Sequence, residues 1–303
     1  MRWFETPNIN FVGNRRTAYV ISAILFLGSL GTIITKGLQY GIDFRGGKEF
    51  VVKFDQPVDV TTVRSVLTSP LGSTPEVKLF GSDFEILIRT DNEDEMTIVQ
   101  STIENTLAAE LAGNSASIEK TDSVGPRFAE DLKSGALQSV IYAIVIIFIY
   151  IFIRFRNWTF SAGAVAALVH DVVITLGLFT LLNEIVPFSL LIDQNIIAAF
   201  LTIVGYSLND TVVVFDRIRE NNLVHKGMEY LPMVNKSLND TLSRTVITSV
   251  TTLFVVVVLF IFGGEVLKGL SFALIIGIVL GTYSSLFVAS ALVVELDSRT
   301  KKS

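Results

Sequence analysis

The sequence contains no cysteine and only two histidines among its 303 residues. Without cysteine the chain can form neither disulfides nor thiolate metal sites, and its histidines are not spaced with acidic residues as transition-metal ligands are. It also lacks the glycine-rich phosphate loops of nucleotide-binding proteins and the G-x-S-x-G motif of serine hydrolases. These absences argue against an enzyme, against a bound metal and against a cofactor.

Charged residues are scarce as well, at 17% of the chain, whereas half of all residues are hydrophobic. Such a composition, with a mean hydropathy of +0.56, is typical of a membrane protein with a modest soluble part. A helix needs about 20 apolar residues to cross a bilayer. Six stretches meet this requirement: 17–35, 135–153, Trp158–Leu182, 195–215, 245–262 and 269–294.

The first of these stretches follows Arg15 and Arg16, as the apolar region of a signal peptide would. Its apolar run is long for that role, and no small-x-small cleavage site follows it. We therefore expect a retained anchor at 17–36 and a bundle of five further transmembrane helices at 135–294.

Lysine and arginine are distributed unevenly over the segments that connect the helices. One side carries thirteen of them, whereas the loops 183–194 and 263–268 on the other side carry one. Because positive charge accumulates in cytoplasmic loops, we expect residues 1–16 and 295–303 in the cytoplasm and residues 37–134 outside it. The thirteen are Arg2, Arg15, Arg16, Arg154, Arg156, Arg217, Arg219, Lys226, Lys236, Arg244, Arg299, Lys301 and Lys302.

The outer segment, 37–134, has the pattern of a small domain. Alternating and helical periodicities predict the order strand, helix, strand, strand, helix, strand, which is that of a ferredoxin-like α+β fold. Acidic residues outnumber basic ones in it, which argues against nucleic acid or anionic lipid as its main partner. The predicted elements are 48–54, 57–69, 75–80, 84–90, 93–113 and 116–122.

Two short motifs flank this domain where it meets the membrane. GIDFRGG follows the first helix and SVGP precedes the second, and both are rich in the residues that form turns. They are either ordinary turns or hinges that transmit domain motion to the helices. The hinge candidates are Asp43, Gly46, Gly47, Gly125 and Pro126.

Ionisable side chains are rare within the apolar stretches, where they usually mark an ion path, a proton relay or a buried pair. The candidates are His170 and Asp171 in the third stretch and Asp210, beside Asn209, in the fourth. Asp210 lies five residues inside Phe215, about 8 Å of helix rise, which is too deep for its short side chain to reach the headgroups. We therefore expect it to face protein or water.

Helical spacing suggests the surroundings of Asp210. Tyr206, Ser207 and Arg217 are predicted on its own helix face. Arg244 opens the fifth helix from the same side, and movement of its guanidinium would change the proton affinity of the carboxylate. The hydroxyls that follow Arg244 would make this face polar enough for ordered water: Thr245, Thr248, Ser249, Thr251 and Thr252.

Plainer interpretations exist for each of these residues. Arg244 is also explained as a flanking positive charge, and Asp210 as a static packing partner. His170 and Asp171 are adjacent, so they point about 100° apart and cannot both face one channel squarely. The four-residue spacing of small side chains in the sixth stretch indicates close helix packing; it comprises Gly277, Gly281, Ser285 and Ala289.

Several of these motifs together resemble one family. GIDFRGG, SVGP, HDV, GYSLNDTVVVFDRIREN and LSRTVITSVTT closely resemble SecF, the smaller membrane subunit of the bacterial SecD–SecF protein-export complex, which is related to resistance-nodulation-division transporters. The resemblance runs from the first helix to the last. It implies a polytopic α-helical protein of the inner membrane with six transmembrane helices and an extracytoplasmic α+β domain.

The resemblance also implies partners and a function. SecD would supply a second set of helices, and the SecYEG channel, YajC, YidC, the translocating preprotein and the lipid bilayer would be further partners, with no role for nucleic acid. The proton-motive force would assist late preprotein translocation. The proton-path residues would fall on Asp210 and Arg244, with Asn209, His170 and Asp171 also at matching positions. An autonomous proton-driven exporter of small molecules or lipids and a purely structural scaffold are the alternatives.

Overall fold

The computed structural model describes residues 7–300, so that Arg2, Lys301 and Lys302 of the charge count lie outside the described part. In chain order the elements of the first half are α1 Arg15–Lys36, α2 Ile42–Arg45, β1 Gly47–Phe54, α3 Val60–Leu71, β2 Glu76–Phe80, β3 Ser82–Thr90, α4 Met96–Glu110 and β4 Ala116–Val124. Those of the second half are α5 Pro126–Phe155, α6 Trp158–Leu182, α7 Gln194–Val224, α8 Tyr230–Phe262, α9 Glu265–Ser284, a π-helical turn Ser285–Ala289, here called the π turn, and α10 Ser290–Thr300.

Within residues 7–300, six helical segments are long and apolar enough to cross a membrane, as the sequence predicts. Five of them are longer than predicted, and the difference is largest for three: α5 begins at Pro126, α7 ends at Val224 and α8 begins at Tyr230. Hydropathy finds only the apolar part of a helix, whereas the helix itself continues through polar turns in the aqueous phase. The fold class, a six-helix membrane protein with a small α+β domain, is confirmed.

The domain between α1 and α5 is a four-stranded antiparallel sheet with the strand order β2-β3-β1-β4. Strand β3 lies between β1 and β2, which is the arrangement of a split β-α-β unit, and the element order is the predicted one. Helices α3 and α4 cover one face of the sheet. Helix α3 begins where the Asp59 carboxylate accepts the amide of Thr62 at 2.8 Å, so its first turn is capped.

The membrane-spanning bundle has α6, α7 and α9 at its centre. Helices α1, α5 and α8 lie around them and leave large apolar side chains exposed, as membrane-facing helices do; Ile24, Ile146 and Val255 are examples. At the end that carries most of the basic loops, here called the basic end, Phe155, Phe160 and Phe215 pack with ring centroids 4.8–6.0 Å apart. The opposite end, which joins the sheet domain, is called the domain end.

The core of the sheet domain yields a first prediction. Leu67 of α3 is fully buried, so Leu67→Ala should lower the free energy of opening of the domain by about 2–5 kcal/mol, because it removes buried apolar surface and leaves a cavity. Hydrogen exchange of the β1 and β3 amides in the full-length protein measures this. Ile98→Ala on the exposed face of α4 is the control and should change it by less than about 0.5 kcal/mol. Equal effects of the two substitutions would contradict the predicted core.

Candidate functional site

Asp210 lies in the middle of the bundle, half-buried, and both of its carboxylate oxygens accept hydrogen bonds from hydroxyl groups. Thr245 of α8 donates to Oδ1 at 2.5 Å, and Ser285 of the π turn donates to Oδ2. Both donors are buried. The carboxylate is therefore held by protein groups from two other helical segments, as expected for an acid at this depth.

Asp171 of α6 is a second carboxylate in the same region, and it is 1% exposed. Its Oδ2 accepts from Ser284 at 2.6 Å and from Ser207 at 3.0 Å, and its Oδ1 lies 2.9 Å from Nδ1 of His170. The two neighbouring side chains His170 and Asp171 thus contact each other directly. The helical spacing of adjacent residues predicts that the two side chains point about 100° apart. That prediction did not consider that one side chain can bend toward the other.

The structure corrects the predicted surroundings of Asp210. Ser207 binds Asp171 instead of Asp210. Arg217 binds Asp240 and Glu220 at the basic end, where its guanidinium lies 2.8 Å from each carboxylate. The Tyr206 hydroxyl is buried and, within residues 7–300, has no hydrogen-bond partner. Spacing along α7 identified residues near the same face but could not show which neighbouring helix each one meets.

Arg244 and Asn209 are exposed on the outer surface of α8 and α7. Arg244 is close enough to Asp210 to interact with it electrostatically, while the carboxylate oxygens themselves are held by Thr245 and Ser285. The described part of the chain contains no ion pair between Arg244 and Asp210. The guanidinium is therefore an exposed neighbour of the carboxylate that is not paired with it.

The hydroxyls of α8 are divided between two faces. Thr248 and Thr251 are exposed beside Arg244, as the spacing predicts. Thr245 and Ser249 are buried, and Ser249 lies 2.6 Å from the hydroxyl of Thr282 on α9. The hydroxyl groups around Asp210 therefore continue inward from α8 to α9.

Ser284 and Ser285 are the site residues that sequence reasoning missed. The four-residue spacing assigned Ser285 to helix packing, together with Gly277 and Gly281. Gly281 does pack closely, since an added Cβ would lie 3.0 Å from Cβ of Ser207. Ser285, in contrast, contacts a carboxylate. The available signal was the run of consecutive hydroxyls TYSS, starting at Thr282, in an otherwise apolar helix.

The five hinge candidates come together at the domain end and form one junction, here called the collar. Gly47 pairs with Val124 at the edge of the sheet, and an added Cβ at Gly46 would lie 3.1 Å from Cα of Pro126. Gly46 and Gly47 have φ values of +79° and +120°, which side chains other than glycine rarely adopt. Gly125 caps α5 and Pro126 opens it.

Asp43 connects the collar to α7. Its Oδ2 accepts the amide of Gln194, the first residue of α7, at 3.0 Å, and Asp193 accepts the amide of Ile196 at 2.8 Å. Burial raises the pKa of the Asp193 carboxyl, the Ile196 amide opposes this rise, and the Asp43 carboxylate adds to it. The helix that carries Asp210 therefore begins on a carboxylate of the collar.

A second contact joins the sheet to the bundle. Lys78 of β2 donates to the side-chain oxygen of Asn183, at the end of α6, at 3.1 Å. Burial lowers the pKa of this lysine. A polar cavity of about 280 Å³ lies between the two parts, and Asp43, Asp193 and Glu265 are among its lining residues.

The fold and these sites define a polytopic membrane protein with one domain inserted after its first helix. Residues 103–299 match the family model described as protein export membrane protein SecD/SecF, C-terminal, and residues 31–58 match the SecD/SecF GG motif. The chain belongs to the SecD/SecF family of protein-export membrane proteins, and the resemblance to SecF is confirmed.

Named relatives agree with this membership. The chain is 57% identical to the protein translocase subunit SecF of Rhodothermus marinus, over 99% of this chain and 96% of that protein. It is 44% identical to the SecF of Desulfurispirillum indicum, over 97% and 92% of the two chains. The crystal structure of SecDF from Thermus thermophilus superposes with a TM-score of 0.86 at 36% identity. That match covers 98% of this chain but 40% of the SecDF chain.

Close packing of α7 on α9 yields a second prediction. Gly281→Ala should lower the free energy of unfolding by about 1–3 kcal/mol, because the new methyl group would press on Ser207. Denaturant titration of the purified full-length chain measures this. Gly205→Ala is the matched control in α7, since an added Cβ there meets nothing within 4 Å. A Gly281→Ala protein as stable as the control would contradict the close contact.

Proposed function

We propose that this protein is the SecF subunit of the bacterial Sec export machinery and that it uses the proton-motive force to assist late preprotein translocation. The observation that carries the proposal is the carboxylate of Asp210, half-buried within a membrane-spanning helix and held by the hydroxyls of Thr245 and Ser285. Protein export itself follows from the family; the proton coupling rests on this site.

A carboxylate at this position suits a proton carrier. An ionised acid in an apolar region is costly unless hydrogen bonds or a nearby cation compensate it, and protonation removes the charge altogether. Thr245 and Ser285 supply hydrogen bonds, and Arg244 supplies a cation that is not locked into an ion pair with Asp210. Movement of Arg244 would alter the balance between the charged and neutral forms. Asn209, His170 and Asp171 belong to the same proposed proton path.

The collar offers a route from this carboxylate to the domain. Because Asp43 accepts an amide at the start of α7, a shift or tilt of that helix changes a hydrogen bond in the collar. Asp210 is the sixteenth residue after Gln194, about 24 Å further along a continuous helix. We propose that Asp43, Gly46, Gly47, Gly125 and Pro126 act as the hinge through which protonation and domain motion are coupled.

A SecD subunit is the proposed partner of the helix bundle. The solved SecDF chains are about two and a half times as long as the stretch that this chain matches, since the match covers 40% of them. The side of α7 and α8 that carries Asn209, Arg244 and Thr248 is exposed and polar, although it belongs to membrane-spanning helices. Polar side chains at this depth are expected to face another protein subunit or water. We propose that SecD covers this polar side of α7 and α8.

The remaining parts of the proposal concern the setting. We place the protein in the bacterial inner membrane with the basic end, residues 1–16 and 295–303 in the cytoplasm and with residues 37–134 outside, because of the distribution of lysine and arginine. The SecYEG channel, YajC, YidC and the preprotein are proposed as further partners. The sheet domain would then lie on the side where the preprotein emerges.

The proton role of Asp210 is tested by Asp210→Asn. The amide keeps the size, and its oxygen can accept from one of the two hydroxyls while its NH2 group donates to the other. It cannot take up and release a proton, so export should fall to the level of a strain that lacks this subunit. The measurement is export of a reporter preprotein, with the membrane level of the variant checked. Asp216→Asn is the control, because Asp216 lies at the basic end on Arg154 and should leave export unchanged. Normal export by a stable Asp210→Asn protein would refute the proton role.

The hinge role is tested by Gly47→Ala. An added Cβ at Gly47 would lie 2.8 Å from the carbonyl oxygen of Thr90, and the positive φ adds strain. Export should therefore fall. Gly72→Ala is the matched control. The φ of Gly72 is +75°, so alanine there has a similar conformational cost of about 1–2 kcal/mol. Gly72 lies outside the collar, and an added Cβ there meets nothing within 4 Å. Equal export by the two variants at equal membrane levels would contradict a hinge at Gly47.

A further inference from the structure

Two consecutive serines connect the buried carboxylate of Asp171 with the half-buried carboxylate of Asp210. Ser284 donates to Asp171 on α6, and the next residue, Ser285, donates to Asp210 on α7. Neither serine is exposed at all. Neighbouring residues of a helix point about 100° apart, so two consecutive side chains can donate to acids on two different helices. The acids themselves are far apart in sequence but share this one contact point.

Each of these hydroxyls has a second acceptor within reach. The Ser284 hydroxyl lies 3.3 Å from the carbonyl oxygen of Gly281, and the Ser285 hydroxyl lies 3.1 Å from that of Thr282. A hydroxyl has a single hydrogen and can donate to only one acceptor at a time. When a carboxylate takes up a proton it needs an acceptor instead of a donor. The serine can then turn its hydrogen to the backbone carbonyl and accept from the acid.

The local backbone makes this position unusual. The π turn begins at Ser285, directly after Ser284. A π turn inserts one extra residue into the helical ladder, and such turns occur frequently at functional sites. The backbone hydrogen-bond pattern of the helix thus changes at the same residues whose hydroxyls have both a carboxylate and a carbonyl oxygen within reach.

Charged and titratable side chains lie close to both carboxylates. Arg244 of α8 interacts electrostatically with Asp210, and His170 contacts Asp171 on the same helix. The Tyr206 hydroxyl is buried on α7, and the Tyr283 ring of α9 stacks on His170. Two ionisable groups titrate as a pair when they interact by more than about one pK unit. Ser284 and Ser285 are the adjacent contacts that connect Asp171 with Asp210. The single guanidinium compensates one negative charge.

We propose that Asp171 is a second proton-binding site, coupled to Asp210 through the Ser284–Ser285 pair of the π turn. This proposal rests on the proton role proposed for Asp210. Ser284 and Ser285 act as positioning residues: protonation of one acid turns its serine, and the shared backbone of the π turn passes the change to the other serine. The two acids then take up and release protons in a linked order.

The test follows the infrared carboxyl band of Asp210 in the purified full-length chain, reconstituted in lipid vesicles, as a function of pH. Loss of the band in Asp210→Asn identifies it. Asp171→Asn should shift the midpoint of this band by about one pH unit or more, the size at which two sites count as coupled. In a Ser284→Ala–Ser285→Ala background the same Asp171→Asn change should shift it by less than half as much.

The double-mutant cycle separates the serine link from direct electrostatic interaction. An Asp171→Asn shift that is undiminished in the background without the two hydroxyls would overturn the link, and no shift in either background would overturn the coupling. Ser271→Ala, a buried serine of α9 that donates only to its own helix, is the control and should preserve the shift. If the double variant does not fold, Ser284→Ala and Ser285→Ala are tested singly, and Ser285→Thr should keep the coupling.

This readout is independent of export. If the two acids titrate as a coupled pair but the Asp210→Asn variant exports normally, the proposed function is wrong and the coupling proposal stands. If Asp210→Asn impairs export but the titration is not coupled, the proposed function stands and the coupling proposal is wrong.

Discussion

An acid in the interior of a membrane-spanning bundle must find its hydrogen-bond donors within the protein, because lipid offers none. Asp171 and Asp210 meet this requirement with hydroxyls from α7, α8, α9 and the π turn. The donors reach the acids only because the helices approach closely, and Gly281 lets α9 lie against Ser207. The helix order, the small residues of α9 and its local π turn all serve the same pair of carboxylates.

Helix α7 links this interior site to both ends of the molecule. It begins on Asp43 and Asp193 at the collar, carries Asp210 at mid-depth, and continues to Arg217, which binds Asp240 at the basic end. A helix of 31 residues transmits a displacement at one point to the others, provided that its hydrogen-bond ladder is unbroken. On the proposed mechanism, a change of charge at Asp210 is therefore felt at the collar without any intervening loop.

Most of the fold could be predicted from the sequence because hydropathy and period are local properties. The six spans, the order of the sheet domain and the depth of Asp210 depend on runs of neighbouring residues. The partners of each carboxylate depend on which helix lies beside which, and that is not encoded at any fixed spacing. For this reason Ser207 was expected at Asp210 and lies at Asp171, and Ser285 was taken for a packing residue.

Asp210 has different neighbours on its two sides. On its inner side are the buried hydroxyls of Thr245 and Ser285, and the residue before Ser285 donates to Asp171. On its outer side are the exposed Arg244 and Asn209. A carboxyl group that carries protons must alternate between two states. In one it holds the proton among hydrogen-bonding groups, and in the other a nearby cation favours its release. With a second subunit covering the outer side, Asp210 would be the point at which the inner network and the subunit interface meet.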